Sequence, residues 1–120
     1  MGAPDVSVVI PTFHRENEVV EAVNSSLGQQ GVAVEVIVLD DSPEGSARAA
    51  IERLDPSRVR YVKREIPSKG RPAICRNEGA LLSTGRYLTF LDDDDRHAAG
   101  ALQAAVSTLD KHPDRGVTVG

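Results

Sequence analysis

Short runs of apolar, largely β-branched residues alternate with helical segments along this 120-residue chain. Four runs predict buried strands: 6–10, 34–39, 59–62 and 86–91. A fifth strand is expected to begin at 116–120. Continuous apolar strands that alternate with helices are typical of a parallel sheet with helices on both faces. The sequence therefore predicts an α/β fold.

Four helical segments fill the intervals between these strands. The predicted apolar faces are, in chain order, Val19, Val20, Val23 and Leu27 for the first helix and Ala47, Ala50, Ile51 and Leu54 for the second. The third helix has Ile74 and Leu81, and the fourth has Ala98, Leu102, Ala105, Val106 and Leu109. Pro72 suits the first turn of the third helix, where its missing N–H would be unpaired in any case. Pro11 is expected to end the first strand.

Composition excludes several classes of function. The chain has 18 acidic and 14 basic residues, which argues against general nucleic-acid binding, so we expect no nucleic-acid partner. One cysteine, Cys75, excludes an internal disulfide framework and suits a reducing compartment. The N-terminus lacks the segments of a signal peptide, and no run approaches the roughly 20 apolar residues of a membrane span. We therefore predict a soluble cytoplasmic domain.

Polar residues gather where three of the predicted strands end, at 12–15, 40–42 and 92–95. In parallel sheets, ligands bind beyond the carboxyl ends of the strands. Four consecutive aspartates at 92–95 repel one another unless a cation neutralises them, and carboxylates suit the hard ions Mg²⁺ and Mn²⁺. The alternative is a solvated acidic turn at the start of the following helix.

A basic segment could supply the counterpart of this acidic run. Seven of the chain's 14 basic residues fall within 19 positions: Arg58, Arg60, Lys63, Arg64, Lys69, Arg71 and Arg76. Most of them suit a solvated surface, but Lys69 and Arg71 precede a helix N-terminus, where phosphate is readily held. Arg71 and Arg76 are the candidates for a ligand contact. A metal site beside cations on a parallel sheet suggests a nucleoside diphosphate.

Four segments follow one another in a known pattern: Val6-Ser-Val-Val-Ile-Pro-Thr-Phe-His-Arg15, Val36-Ile-Val-Leu-Asp-Asp-Ser42, Gly70-Arg-Pro-Ala-Ile-Cys-Arg-Asn77 and Gly85-Arg-Tyr-Leu-Thr-Phe-Leu-Asp-Asp-Asp-Asp95. Together they resemble the family 2 glycosyltransferases, inverting enzymes of the GT-A fold, with Cys75 in place of the usual alanine. The resemblance implies a Rossmann-like, mostly parallel sheet. Residues 1–120 would form one nucleotide-sugar-binding domain, the truncated N-terminal part of a GT-A catalytic domain.

The resemblance also implies a role for individual residues. The nucleotide-sugar-binding residues would be Pro11, Thr12, Phe13, Asp41, Arg71, Asp92 and Asp93, and the metal-binding residues would be Asp94 and Asp92. Asp41 would accept a hydrogen bond from the ring nitrogen of uracil. Arg71 would lie beside the base and the phosphates. Asp94 would bind Mn²⁺ or Mg²⁺ directly and bridge it to the diphosphate.

The implied reaction is metal-dependent transfer of a sugar, with inversion, from a nucleoside diphosphate sugar to an acceptor. The donor is expected to be a UDP-sugar, and the acceptor a glycan, a lipid or a small molecule. The general base would follow the fifth strand, so no catalytic base is assigned within 1–120. The sheet edge left exposed would permit self-association. The alternatives are a non-catalytic nucleotide-binding or regulatory module and a nucleotidyltransferase, which would normally carry a Gly-rich basic loop after the first strand.

Overall fold

The computed structural model describes residues 4–66, 68 and 71–111, in which strands and helices alternate. The elements are β1 (Val6–Thr12), α1 (Glu16–Leu27), β2 (Val34–Asp40), α2 (Arg48–Glu52), β3 (Val59–Lys63), α3 (Pro72–Leu82), β4 (Tyr87–Phe90) and α4 (Ala101–Lys111). The strands pair in parallel in the order β3-β2-β1-β4. This confirms the predicted α/β fold. The predicted strand at 116–120 lies outside the described residues.

Both faces of the sheet are covered by helices, as predicted. Alternate residues of β1 and β2, including Val8 and Val36, pack with α1, α2 and α4 in the larger core cluster. The residues between them turn to the opposite face, where Val9 and Ile37 pack against Cys75 of α3. Because β1 and β2 are buried on both faces, they read in the sequence as continuous apolar runs.

Helix α3 contacts the sheet through small residues, so the predicted face of this helix was wrong. Ile74 and Leu81 are 38% and 88% exposed. The buried positions are Cys75 and Gly79 instead. A Cβ atom on Gly79 would lie only 2.3 Å from Cγ1 of Val9. Side-chain volume therefore determines which face of α3 meets the sheet, because larger residues would hold the helix away from it.

Strand β1 continues through Pro11 to Thr12, beyond the stop predicted at Pro11. Pairing with β4 covers only the first part of β1, from Val6 to Val9. The carbonyl of Val9 accepts a hydrogen bond from the backbone N–H of Leu91, which follows β4. Pro11 lies two residues further along β1, so its nitrogen faces the same side but beyond the last hydrogen bond to β4. A missing N–H is therefore tolerated at this position, and β1 can deliver Thr12 to the edge of the sheet.

Strand β4 is an outer strand of the described sheet. Its Leu88 and Phe90 side chains are 40% and 43% exposed. Self-association through this edge stays a prediction. Within the ranges that the structure describes, no helix has the length and apolar character needed to cross a membrane.

Candidate functional site

The ends of β1, β2 and β4 border a cleft of about 420 Å³, a volume that suits a small-molecule ligand. Its lining consists of Pro11, Thr12, Phe13, Arg15, Asp41, Ser68, Cys75, Asp92, Asp93 and Asp94. The structure thus brings together the predicted site residues other than Arg71, and adds Arg15, Ser68 and Cys75. Arg15 was within the polar segment noted after the first strand. Ser68 had no distinguishing sequence signal.

Asp93 joins the end of β1 to the loop after β4. The Thr12 hydroxyl donates a 2.9 Å hydrogen bond to Asp93 Oδ2, and the backbone N–H of Phe13 approaches the same oxygen at 3.4 Å. Burial raises the pKa of Asp93, although these hydrogen bonds and Arg15 oppose the shift. Because its carboxylate turns towards β1, Asp93 shapes the floor of the cleft.

The other three aspartates of the run form an exposed acidic cluster, Asp92, Asp94 and Asp95. Each offers a carboxylate oxygen, and these oxygens lie within 4.8 Å of one another. Arg15 Nη1 lies 3.2 Å from Asp94 Oδ2, and Arg76 Nη2 lies 3.1 Å from Asp92 Oδ1. The two arginines therefore offset part of the cluster's negative charge. Three hard oxygen donors at this spacing fit a divalent cation such as Mg²⁺ or Mn²⁺.

Asp41 is a buried carboxylate at the inner wall of the cleft, 8% exposed. The Ser68 backbone N–H donates to Oδ1 at 2.9 Å, and the Ser68 hydroxyl donates to Oδ2 at 2.6 Å. Arg64 Nε lies 3.3 Å from Oδ1 as an ion pair. Asp41 is therefore held ready to accept a further hydrogen bond from a ligand.

The neighbouring Asp40 bonds to its own chain instead of facing the cleft. Its carboxylate accepts hydrogen bonds from the backbone and hydroxyl of Ser42, from the Ala47 backbone at 3.0 Å and from the Tyr61 hydroxyl at 2.6 Å. Burial opposes ionisation, but these hydrogen bonds outweigh it and lower the pKa of Asp40. Burial together with Asp40 raises the pKa of Tyr61. Asp40 thus anchors the β2–α2 loop beside the site.

Arg71 and Cys75 lie on the α3 side of the cleft. Arg71 is exposed at the start of the helix, and its backbone N–H donates to Ser68 Oγ at 3.2 Å. Its side chain is not in the cleft lining, and its proposed contact with a ligand stays a prediction. Cys75 is buried in an apolar cluster, as expected for a packing residue, and burial raises the pKa of its thiol.

Phe13 lines the outer lip of the cleft, and His14 lies next to it. Phe13 is 55% exposed, and its ring meets the imidazole of His14 edge-on at 4.3 Å. His14 adopts φ 54°, a left-handed conformation uncommon for residues with a Cβ atom. Its Nε2 lies 2.9 Å from a carboxylate oxygen of Glu44, which follows β2. This contact ties the two loops together and leaves the Phe13 ring available to a ligand.

The model of Glycosyl transferase family 2 matches residues 7–120. The chain belongs to this family. Among its relatives is the GalNAc(5)-diNAcBac-PP-undecaprenol beta-1,3-glucosyltransferase of Campylobacter jejuni, which is 33% identical over 115 residues. That match covers 94% of this chain and 36% of the relative, so the chain spans about a third of its length.

Two solved structures share the fold of this chain. The structure of Staphylococcus aureus TarS 1-349 in complex with UDP-GlcNAc matches with a TM-score of 0.78 and 25% identity, over 96% of this chain and 37% of that 1-349 chain. The mannosyltransferase PcManGT of Pyrobaculum calidifontis, in complex with GDP-Man and Mn²⁺, matches with a TM-score of 0.75 and 26% identity, over 89% of this chain and 32% of PcManGT. The architecture is therefore the GT-A fold, as the resemblance implied.

Proposed function

We propose that residues 1–120 form the nucleotide-sugar-binding domain of a glycosyltransferase that uses a UDP-sugar and a divalent cation. The carrying observation is that one cleft is lined both by a buried carboxylate, Asp41, and by two members of the acidic cluster, Asp92 and Asp94. A nucleotide sugar needs these two features side by side, because one would bind its nucleobase and the other its metal-bound diphosphate. The UDP-GlcNAc complex of TarS and the GDP-Man and Mn²⁺ complex of PcManGT support this assignment.

The inner wall of the cleft would bind the base. Asp41 would accept a hydrogen bond from N3–H of uracil, a donor that cytosine lacks at neutral pH. The half-exposed ring of Phe13, at the lip, would cover the face or edge of the base. Pro11 and Thr12 would border it, since they continue β1 into the cleft.

The acidic cluster would hold Mn²⁺ or Mg²⁺, with Asp94 and Asp92 as the principal ligands and Asp95 nearby. When bound, the cation would stabilise negative charge on the departing nucleoside diphosphate. Arg15 and Arg76 already contact Asp94 and Asp92, so a cation would replace their role in offsetting the carboxylates. Both guanidinium groups would then be available to phosphate oxygens, which Arg binds well. Asp93, held by Thr12, would border the ribose.

The remaining parts of the proposal concern the transfer step. We propose inversion at the transferred sugar, in which a general base deprotonates the acceptor hydroxyl. The acceptor would be a glycan, a lipid or a small molecule, and the undecaprenol-linked name of the Campylobacter jejuni relative favours a lipid-linked glycan. We also keep the prediction that transfer takes place in the cytoplasm.

Isothermal titration of the 120-residue chain with UDP, CDP and GDP, each with and without MnCl₂, tests this function. We expect UDP to bind tightly only with the metal, because the acidic cluster otherwise repels a diphosphate. Asp94→Asn should weaken metal-dependent UDP binding by about tenfold or more, as loss of a charged ligand contact costs about 1.5–3 kcal/mol. Glu52→Gln is the matched control, an exposed acid that contacts Arg48 on the same helix. Equal UDP binding with and without metal would contradict the metal assignment.

A further inference from the structure

Arg64 is a buried cation behind the wall of the cleft, and none of the roles proposed above uses it. Its side chain is 9% exposed and lies between two carboxylates. Nε is 3.3 Å from Asp41 Oδ1, Nη1 contacts Glu78, and Nη2 donates to the carbonyl of Ile66 at 3.3 Å. Removing an arginine from water is costly, so a buried position of this kind needs a reason.

The contacts on Asp41 decide how many hydrogen bonds it can still accept. A carboxylate has about four acceptor positions, two on each oxygen. On Oδ1, the Ser68 N–H donates to one position, and Arg64 Nε lies 3.3 Å away as an ion pair without hydrogen-bond geometry. On Oδ2, the Ser68 hydroxyl takes one position. Among the described residues, Oδ2 therefore keeps one open acceptor position, whereas Oδ1 is crowded by the Arg64 guanidinium.

We propose that Arg64 is a specificity-determining residue that restricts Asp41 to a base with one donor on its hydrogen-bonding edge. This inference rests on the proposed function. Uracil presents one N–H, at N3, and fits a single free position. Guanine presents two adjacent donors, N1–H and the N2 amino group, and pairs with a carboxylate through both oxygens. With Oδ1 of Asp41 covered by Arg64, one guanine donor would be buried without a partner, which is unfavourable.

The position of Arg64 explains how it can exert this effect without touching the ligand. The side chain is absent from the cleft lining, so it acts through Asp41. Its second carboxylate contact, from Nη1 to Glu78 of α3, also holds the guanidinium in place. Its backbone N–H donates to the carbonyl of Asp40 at 2.9 Å, which fixes the chain next to Asp41. Arg64 is thus a positioning residue, and its substitution should change the preference of the cleft for one nucleobase over another.

The test measures dissociation constants for UDP and GDP in the presence of MnCl₂, and uses their ratio. We expect the unaltered chain to prefer UDP by at least about tenfold, and Arg64→Met to reduce this preference by about fivefold or more, since Oδ1 becomes accessible. Arg60→Met is the matched control, because Arg60 is an exposed arginine on β3, the strand that ends one residue before Arg64. Its ratio should not change. A loss of folded protein scales both affinities together and leaves the ratio intact.

Two further variants keep the test valid if Arg64→Met leaves too little folded protein. Arg64→Lys retains the charge but loses Nε, and should reduce the preference to an intermediate value. Asp41→Asn with Arg64→Met removes both buried charges, and should show the same UDP-to-GDP ratio as Asp41→Asn alone if Arg64 acts through Asp41.

An unchanged ratio in Arg64→Met and Arg64→Lys, or independent effects of the Asp41 and Arg64 substitutions, would overturn the inference while the proposed function stands. Failure of the unaltered chain to bind UDP would instead refute the proposed function and this inference with it.

Discussion

Gly79→Ala tests the close approach of α3 to the sheet. The new Cβ atom would lie 2.3 Å and 2.9 Å from the two methyl carbons of Val9 and 3.1 Å from Cδ2 of Leu39. Since apolar carbons settle about 3.5–4.0 Å apart, the closest contact must open by more than about 1 Å. Val9 is β-branched, fully buried and on a central strand, so it has little room to move. The helix must therefore shift away from the sheet.

The magnitude follows from two opposing contributions. Overpacking of a core costs about 1–3 kcal/mol, whereas replacing glycine by alanine inside a helix returns about 1 kcal/mol. Because the 2.3 Å contact is far closer than a van der Waals contact, the overpacking cost falls in the upper part of that range, about 2–3 kcal/mol, and we expect the free energy of unfolding to fall by about 1–2 kcal/mol. In a domain of 60–100 residues, a loss of 1 kcal/mol lowers Tm by roughly 4–8 °C. For this slightly longer chain, we expect Tm to fall by several degrees. Urea unfolding followed by circular dichroism would measure it.

Two variants identify the cause of this destabilisation. Asn77→Ala lies on the exposed side of the same helix and should be neutral or slightly stabilising, since it brings the helix propensity without the contact. Val9→Ala combined with Gly79→Ala should cost less than the sum of the two single substitutions, because the smaller side chain makes room for the new methyl group. A Gly79→Ala protein as stable as the parent would refute the close approach.

Two other predictions concern buried polar groups. The pKa of Asp40 is lowered in the fold relative to its ordinary value of 3.8, so its stabilisation is complete above that value and is lost as the pH falls through the lower folded pKa. Urea midpoints from about pH 5 to about pH 2 should fall less steeply for Asp40→Asn than for the parent. Gln29, just after α1, makes two hydrogen bonds towards α4. Its Nε2 donates to the carbonyl of Ala98 at 2.9 Å, and its Oε1 accepts from the N–H of Leu102, in the first turn of α4, at 3.0 Å. Gln29→Leu should lower the free energy of unfolding by about 2 kcal/mol, and equal urea midpoints would contradict this.

The sheet and its polar edge could be predicted from the sequence because both depend on local patterns. Strands β1 and β2 are buried on both faces, which makes each an unbroken apolar run. Such runs alternate with helical periodicity, and this alternation alone favours a parallel sheet. The aspartates of 92–95 follow a strand directly, so their place at the edge of the sheet also follows from the pattern.

The features that sequence reasoning missed depend on distances between segments. Gly79 makes the contact between α3 and Val9, but a pattern of large apolar side chains points to Ile74 and Leu81. Likewise, Ser68 and Arg64 look like ordinary loop residues until the fold places them against Asp41. Three-dimensional packing also divides the aspartates at 92–95. One of them faces β1, and the other three form the acidic cluster.

The all-parallel strand order has a consequence for how the chain folds. Among the four described strands, no neighbouring pair can form a local hairpin, so each of their pairings must close a long loop and pay its entropy first. The longest such closure, between β1 and β4, also creates the Thr12 to Asp93 hydrogen bond across 81 residues of sequence. Proteins dominated by such non-local pairings fold slowly. The chain should therefore become competent to bind the proposed nucleotide ligand only when β4 has docked, so that a partly folded molecule does not sequester it.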